Sequence, residues 1–117
     1  MAQLPRTIAA GHYAKVQIET ATTRRAVCML HEKCVQFIGA ALDTPAERPV
    51  LLAKSQNILS QLQMSLRMDD SVAEGLFLLY DYCYAALERA RDKDVMSAGK
   101  IMAVLRDTFK YLAKRPR

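Results

Sequence analysis

The sequence is poor in residues that interrupt helices. It contains only four glycines and four prolines in 117 residues, and three of those prolines lie outside the long periodic segments. No stretch reaches the ~18 apolar residues that a membrane span needs. Residues 1–10 lack the continuous apolar run of a signal peptide. These shortages predict a helical, soluble chain that is neither exported through a leader nor inserted into a membrane.

Cysteine is also scarce, with Cys28, Cys34 and Cys83 making an odd count. All three lie within helical patterns and not in a loop-rich disulfide framework, which favours a reducing, cytoplasmic location. Cys28, His31 and Cys34 together offer three soft metal ligands. Six residues of helix turn the two cysteines apart, however, and no fourth ligand is indicated. We therefore expect no metal and no cofactor, with Cys34 in the core, Cys28 beside it and His31 on a helix surface.

Basic residues exceed acidic ones, for a formal charge of +5. They are spread along the chain, with one cluster at its end that we interpret as a solvated tail. Because no nucleic-acid-binding motif accompanies the charge, we expect no nucleic-acid partner. The acidic residues are scattered over helical surfaces, no Cys–His pair has an orienting third group, and there is no glycine-rich phosphate loop. The chain is therefore not expected to be an enzyme.

Apolar residues recur at three- and four-residue steps in four segments, which predicts four amphipathic helices. Their expected ranges are 23–42, 49–68, 71–91 and 94–113. Thr22, Thr23, Ser71 and Asp94 are the candidate N-caps, and Pro49 suits a first helical position. Short connections between helices of similar length favour an all-α, antiparallel four-helix bundle over residues 21–117. Residues 1–20 form an N-terminal arm, which we expect to pack on the bundle through Ile8, Tyr13 and Val16.

The third helix has apolar residues on more than one face. Its expected core stripe is Val72, Leu76, Leu79, Tyr80, Cys83, Leu87 and Ala90, and the fourth helix contributes Ala98, Ile101, Met102, Leu105, Phe109 and Leu112. By helical angle, Phe77 and Tyr84 lie on one flank of that stripe, while Leu78 and Tyr82 point almost the opposite way.

The second helix adds Leu52 and Leu59 on a flank of the same sense as that of Phe77 and Tyr84. Two interpretations of these flanks stay open. In the first, these residues are covered within the protein, because they widen the core or lie beneath the N-terminal arm. In the second, they form a hydrophobic groove that accepts a helix from another chain. Leu78 and Tyr82 have no obvious partner within the bundle.

Three short motifs stand out in the sequence: HYAKVQIETA at residues 12–21, Met29-Leu30, and Leu79-Tyr80-Asp81-Tyr82. They resemble motifs of the flagellar secretion chaperone family FliS. Residues 12–21, HYAKVQIETA, are similar to the AYxxVxxESA opening of that family. Met29-Leu30 is similar to its first-helix ML, Leu79-Tyr80-Asp81-Tyr82 to its LYDY, and the spacing to Val104-Leu105 and Phe109 to its last helix. Two stretches depart from the pattern of a close orthologue and indicate a divergent member. Thr22-Thr23 stands for Ser-Pro, and residues 31–34, HEKC, stand for YDGA.

The resemblance implies a cytoplasmic chaperone without catalytic activity. Such a protein would bind the disordered C-terminal segment of flagellin, prevent its premature polymerisation and pass it to the type III export machinery, whose gate components are further candidate partners. The client-binding residues expected on the bundle are Leu52, Leu59, Phe77, Leu78, Tyr82 and Tyr84, partly covered by the arm until the client displaces it. The alternative is a helical adaptor or regulatory protein that uses the same surface to bind a folded partner or a second copy.

Overall fold

The described part of the chain is built from helices. The computed structural model describes residues 21–68 and 70–114, without the side chains of residues 21–23. Over these ranges the chain forms α1 (Ala21–Asp43), α2 (Arg48–Met64), α3 (Ser71–Arg89) and α4 (Asp92–Lys114), with a 3-10 turn at Pro45–Glu47. No strand occurs in this part of the chain. The predicted N-terminal arm, with Ile8, Tyr13 and Val16, lies outside the described residues.

The helices pack as a four-membered ring. Helix α1 contacts α2 and α4, and α3 contacts the same two helices, so α1 and α3 occupy opposite corners. On the α2–α3 side, Gln56 Nε2 donates to the Tyr84 carbonyl and Gln63 Nε2 donates to the Phe77 carbonyl, each over 3.2 Å. Residue numbers rise along α2 as they fall along α3, which makes this pair antiparallel. The predicted all-α four-helix bundle is confirmed.

The ends of α3 differ from the prediction at both termini. The Asp70 carboxylate accepts a hydrogen bond of 2.8 Å from the Ala73 N–H, so Asp70 is the N-cap and Ser71 is already helical. Ala90 has a φ of 59°, in the left-handed region that residues other than glycine rarely adopt. This conformation ends the helix at Arg89, two residues before the predicted boundary.

Helix α4 begins at Asp92, so the prediction that Asp94 is its N-cap is wrong. Asp94 lies in the first turn, where its carboxylate is buried beside two arginines. The distances are 2.7 Å to Arg91 Nε and 3.3 Å to Arg89 Nε. Hydrogen bonds from Arg91 and Arg89 hold the pKa of the Asp94 carboxyl below its usual range. The ion pairs link the two-residue connection between α3 and α4 to the start of α4.

The core lies on the axis of the ring. Its buried apolar residues are Cys34, Ile38, Ala41, Leu52, Ile58, Leu59, Leu62, Tyr80, Cys83, Ala86, Leu87, Val95, Ala98, Met102 and Leu105. Three residues predicted for the core, Val72, Leu79 and Leu112, are instead exposed. Helix α2 ends at Met64, and the pairing of Gln63 with Phe77 places Val72 beyond that end. Leu112 lies in the part of α4 that runs past the start of α3.

Candidate partner-binding surface on helix α3

The outer face of α3 consists of exposed apolar side chains. Leu78 is 66% exposed and Tyr82 is 47% exposed, and each lies about half a helical turn away from the buried Tyr80. Val72 and Leu79, which were predicted for the core, lie at the edge of the same surface. We call these four residues the α3 outer face. The prediction that Leu78 and Tyr82 lie outside the core is confirmed.

Leu79 is 39% exposed, although it was predicted to lie in the core stripe. Ala86, at a similar angle on α3, is completely buried next to the two-residue connection to α4. Ala86 lies about one turn before this connection, and Leu79 lies about three turns before it. The predicted core stripe on α3 did not include Ala86.

Phe77 and Tyr84 lie where α3 meets α2. Both side chains are a little over one-third exposed. Their backbone carbonyls accept the hydrogen bonds from Gln63 and Gln56, and Gln56 Nε2 also donates to Glu88 Oε1 over 2.8 Å. The predicted seam between α2 and α3 therefore exists, with Phe77 and Tyr84 at its surface.

Leu52 and Leu59 are not at the surface of that seam. Their side chains are 4% and 0% exposed. Of the two interpretations left open, the one in which the flank widens the core therefore holds for these two residues, and they are not exposed client-binding residues. Gln56 and Gln63 occupy the surface of the seam above them. The buried arc of α2 also includes Ser55, whose hydroxyl donates to the Leu51 carbonyl over 3.0 Å. A hydroxyl bonded to its own helix can be buried without an outside partner.

A shallow groove of about 560 Å³ runs along α2 beside Tyr84. Its lining residues are Val50, Ala53, Lys54, Gln56, Asn57, Ser60 and Tyr84. Most of them are polar or small, so this groove alone offers little apolar area. The larger exposed apolar side chains lie on α3, which makes that helix the main candidate surface.

Beneath the outer face, Tyr80 connects α3 to α1. Tyr80 Oη donates to His31 Nε2 over 2.8 Å, and His31 Nδ1 donates to the Val27 carbonyl, also over 2.8 Å. The imidazole stacks on the Phe109 ring with 4.6 Å between centroids. His31 is completely buried, so the prediction that it lies on a helix surface is wrong.

The burial of His31 favours its neutral form. Burial lowers the pKa of its imidazole, and the hydrogen bond to the Val27 carbonyl offsets part of that effect. Both ring nitrogens are occupied by protein partners and are not available to a metal. Burial, together with the neighbouring Cys83 thiol, raises the pKa of Cys34 to about 12, so this thiol is protonated. In residues 21–68 and 70–114, no three side chains of metal-binding type lie together.

The described helices also include none that is both long and apolar enough to cross a bilayer. The α3 outer face is therefore an apolar surface on a helix whose opposite side is anchored in a bundle core. It is interrupted by carboxylates, because Glu74, Asp81 and Glu88 are exposed on the same helix. Such a surface suits an amphipathic partner segment more than a lipid phase.

Comparison with known proteins identifies a family for this chain. The sequence model of a family described as "Flagellar protein FliS" matches residues 6–116. A relative from Bacillus subtilis (strain 168), named "Flagellar secretion chaperone FliS", is 29% identical over 87 residues. The matched region covers 70% of this chain and 65% of the relative, just under two thirds of its length. Since the family match extends over nearly all of the sequence, this chain is a member of the FliS family of flagellar proteins.

Proposed function

We propose that this protein is a cytoplasmic flagellar export chaperone that binds the disordered C-terminal segment of flagellin. Membership of the FliS family supports the general role, and the name of the Bacillus relative, a secretion chaperone, supports it further. Family membership also favours a binding role over catalysis. The observation that carries the proposal is the α3 outer face, with Leu78 66% and Tyr82 47% exposed on a firmly packed helix.

An extended surface fits a disordered client better than a deep pocket does. A segment that folds as it binds gives up roughly 2–5 kcal/mol of the interaction in becoming ordered. Several apolar anchors spaced along one helix can offset this cost, because the client then buries large side chains over its whole length. Leu78 and Tyr82 provide the central anchors, and Phe77 and Tyr84 continue the surface towards α2. Leu52 and Leu59 are excluded as anchors because they belong to the core.

Binding in this way prevents polymerisation by covering the client's apolar face. The chaperone then presents the covered segment to the type III export machinery, including components of its gate. The arm residues Ile8, Tyr13 and Val16 would compete with the client for the same surface. Basic residues of the bundle increase the rate of association with an acidic client more than its affinity.

The test is titration of a flagellin C-terminal peptide into the folded protein and two matched variants. Leu78→Asp places a charge on the α3 outer face, and Val104→Asp places one on α4 at a residue that is 63% exposed. We expect Leu78→Asp to weaken binding about tenfold or more, near the loss typical of an interface anchor. Val104→Asp should bind like the wild type, and both variants should melt like it.

Three results would contradict the proposal. An absence of binding at tens of micromolar, with the bundle shown to be folded by circular dichroism, removes flagellin as the client. Equal weakening by Leu78→Asp and Val104→Asp removes α3 as the binding surface. A concentration-independent dimer in light scattering, disrupted by Leu78→Asp, would favour the adaptor that self-associates through this face.

A further inference from the structure

A second groove lies between the start of α1 and the end of α4, and α3 contributes no residue to it. Its volume is about 300 Å³. We call it the basic groove, and its lining residues are Arg24, Arg25, Cys28, Lys110, Ala113 and Lys114. Four of these six side chains are cationic and none is acidic. The cluster that we interpreted from sequence as part of a solvated tail is thus joined by two arginines from the other end of the described chain.

The positive charge in the basic groove is poorly compensated. Lys110 Nζ lies 4.0 Å from Glu32 Oε2, the limit of an ion pair. Within residues 21–68 and 70–114, no carboxylate lies within ion-pair distance of Arg24, Arg25 or Lys114. The first turn of α1 also contains no acidic residue, although carboxylates are favoured at that end of a helix. A bound anion would relieve the repulsion among the four cations.

The shape of the basic groove limits the kind of anion. Cys28 and Ala113 supply small, weakly polar parts of its lining, and Arg25, Lys110 and Lys114 are exposed at its edges. The volume suits a few side chains of an extended or helical peptide. A nucleic acid needs cations along a longer path than this groove provides. Beyond the groove, the exposed side chains of α3 include the carboxylates of Glu74, Asp81 and Glu88, which do not favour a polyanion. The four cations that line the groove lie together where the start of α1 meets the end of α4.

We propose that the basic groove is a second docking site, which binds an acidic stretch of a partner polypeptide through Arg24, Arg25, Lys110 and Lys114. It is separate from the α3 outer face and does not depend on flagellin being the client. The protein can then hold an apolar segment on α3 and an acidic segment at the α1–α4 end at the same time. Long-range attraction by the four cations speeds the encounter with the acidic partner.

The first experiment measures binding of a short, labelled, Glu-rich peptide by fluorescence anisotropy at low salt. A peptide with Gln in place of each Glu is its control. The variant Arg25→Glu/Lys114→Glu reverses two charges in the groove, and Lys93→Glu/Lys100→Glu reverses two exposed charges of α4 that do not line it. Both variants have the same net charge. We expect the groove variant to bind the Glu peptide about tenfold more weakly, a few-fold for each charge reversed, and the α4 variant to change it less than twofold.

The second experiment locates the peptide through Cys28. Cys34 and Cys83 are completely buried, while Cys28 is half-buried and lines the basic groove. In the native protein a thiol reagent should therefore react with Cys28 first. We expect the Glu peptide to slow this reaction at the concentrations that saturate anisotropy, and the Gln peptide to leave it unchanged.

Any of three outcomes overturns the proposal. The first is that the Glu and Gln peptides bind alike. The second is that the two charge-reversal variants weaken binding equally, and the third is that the Glu peptide leaves Cys28 as reactive as before. A single-stranded oligonucleotide serves as a competitor in the same assay. If it binds more tightly than the Glu peptide and loses that binding in the groove variant, the site is for nucleic acid and not for an acidic polypeptide.

Discussion

The inner and outer faces of α3 are built from similar residues in opposite environments. Tyr80 and Tyr82 are two positions apart, yet Tyr80 is 1% exposed and Tyr82 is 47% exposed. Leu87 is buried in the core and Leu78 is exposed. The comparison shows that an apolar side chain on this helix has no fixed role. Its angle relative to α2 and α4 decides whether it stabilises the fold or remains available to a partner.

The largest expected difference between the faces comes from truncating one leucine on each. Leu87→Ala should lower the free energy of unfolding by about 2–5 kcal/mol, because it removes buried methyl groups and leaves a cavity. Leu78→Ala should change it by less than about 0.5 kcal/mol, as is usual for exposed positions. Urea denaturation followed by circular dichroism measures both. Equal losses would mean that Leu78 packs against something in the free protein, and the distinction between the faces would fail.

A matched pair of tyrosines gives a smaller contrast. Tyr80→Phe removes the hydroxyl that donates to His31 Nε2 and leaves that buried nitrogen without its partner, at a cost of about 1–3 kcal/mol. Tyr82 Oη lies 3.5 Å from Ser97 Oγ, a contact too long to add much stability. Tyr82→Phe should therefore leave the unfolding midpoint nearly unchanged. A similar midpoint for the two variants would show that the Tyr80–His31 hydrogen bond contributes little.

The smallest expected effect is a dependence of the unfolding free energy on pH. It arises from His31, which bonds to Tyr80 on the inner face of α3. Burial lowers the pKa of His31 from its ordinary value of 6.5, so below that pH the unfolded chain binds more protons than the folded one. The stability that depends on keeping this imidazole neutral is fully present above about pH 6.5 and decreases as the pH falls towards the folded-state pKa. Unfolding midpoints at about pH 7.5 and about pH 5.5 measure the change. His31→Gln, which does not titrate, is the control.

The control isolates the imidazole because the glutamine side chain does not titrate. The Asp94 carboxyl also has a lowered pKa, but its ordinary value is 3.8, so its contribution is lost only at more acidic pH. We expect His31→Gln to be less stable than the wild type at neutral pH and to lose less on acidification. If the two proteins lose stability in parallel, the buried imidazole is not the source of the pH dependence.

Much of the fold followed from periodicity, whereas the site followed only in part. The angles placed Tyr80, Cys83 and Leu87 inside and Leu78 and Tyr82 outside, because helical geometry fixes the relative directions of side chains on one element. Leu52 and Leu59 were expected among the client-binding residues but lie in the core, in a buried arc of α2 that also includes Ser55. His31 was misplaced because its burial depends on Tyr80 and Phe109, which come from two other helices.

By itself, the sequence determined the number and type of the helices, the directions of their side chains and, through its motifs, the family. Local spacing and helix-forming composition are sufficient for the helices and their side-chain directions, because both depend on neighbours in the chain. Only the tertiary structure determined how much of the surface of each helix is buried. It also decided that Asp94 pairs with arginines, that His31 is enclosed, and that Arg24 and Arg25 meet Lys110 and Lys114. Those outcomes depend on the distances between helices, which no single segment specifies.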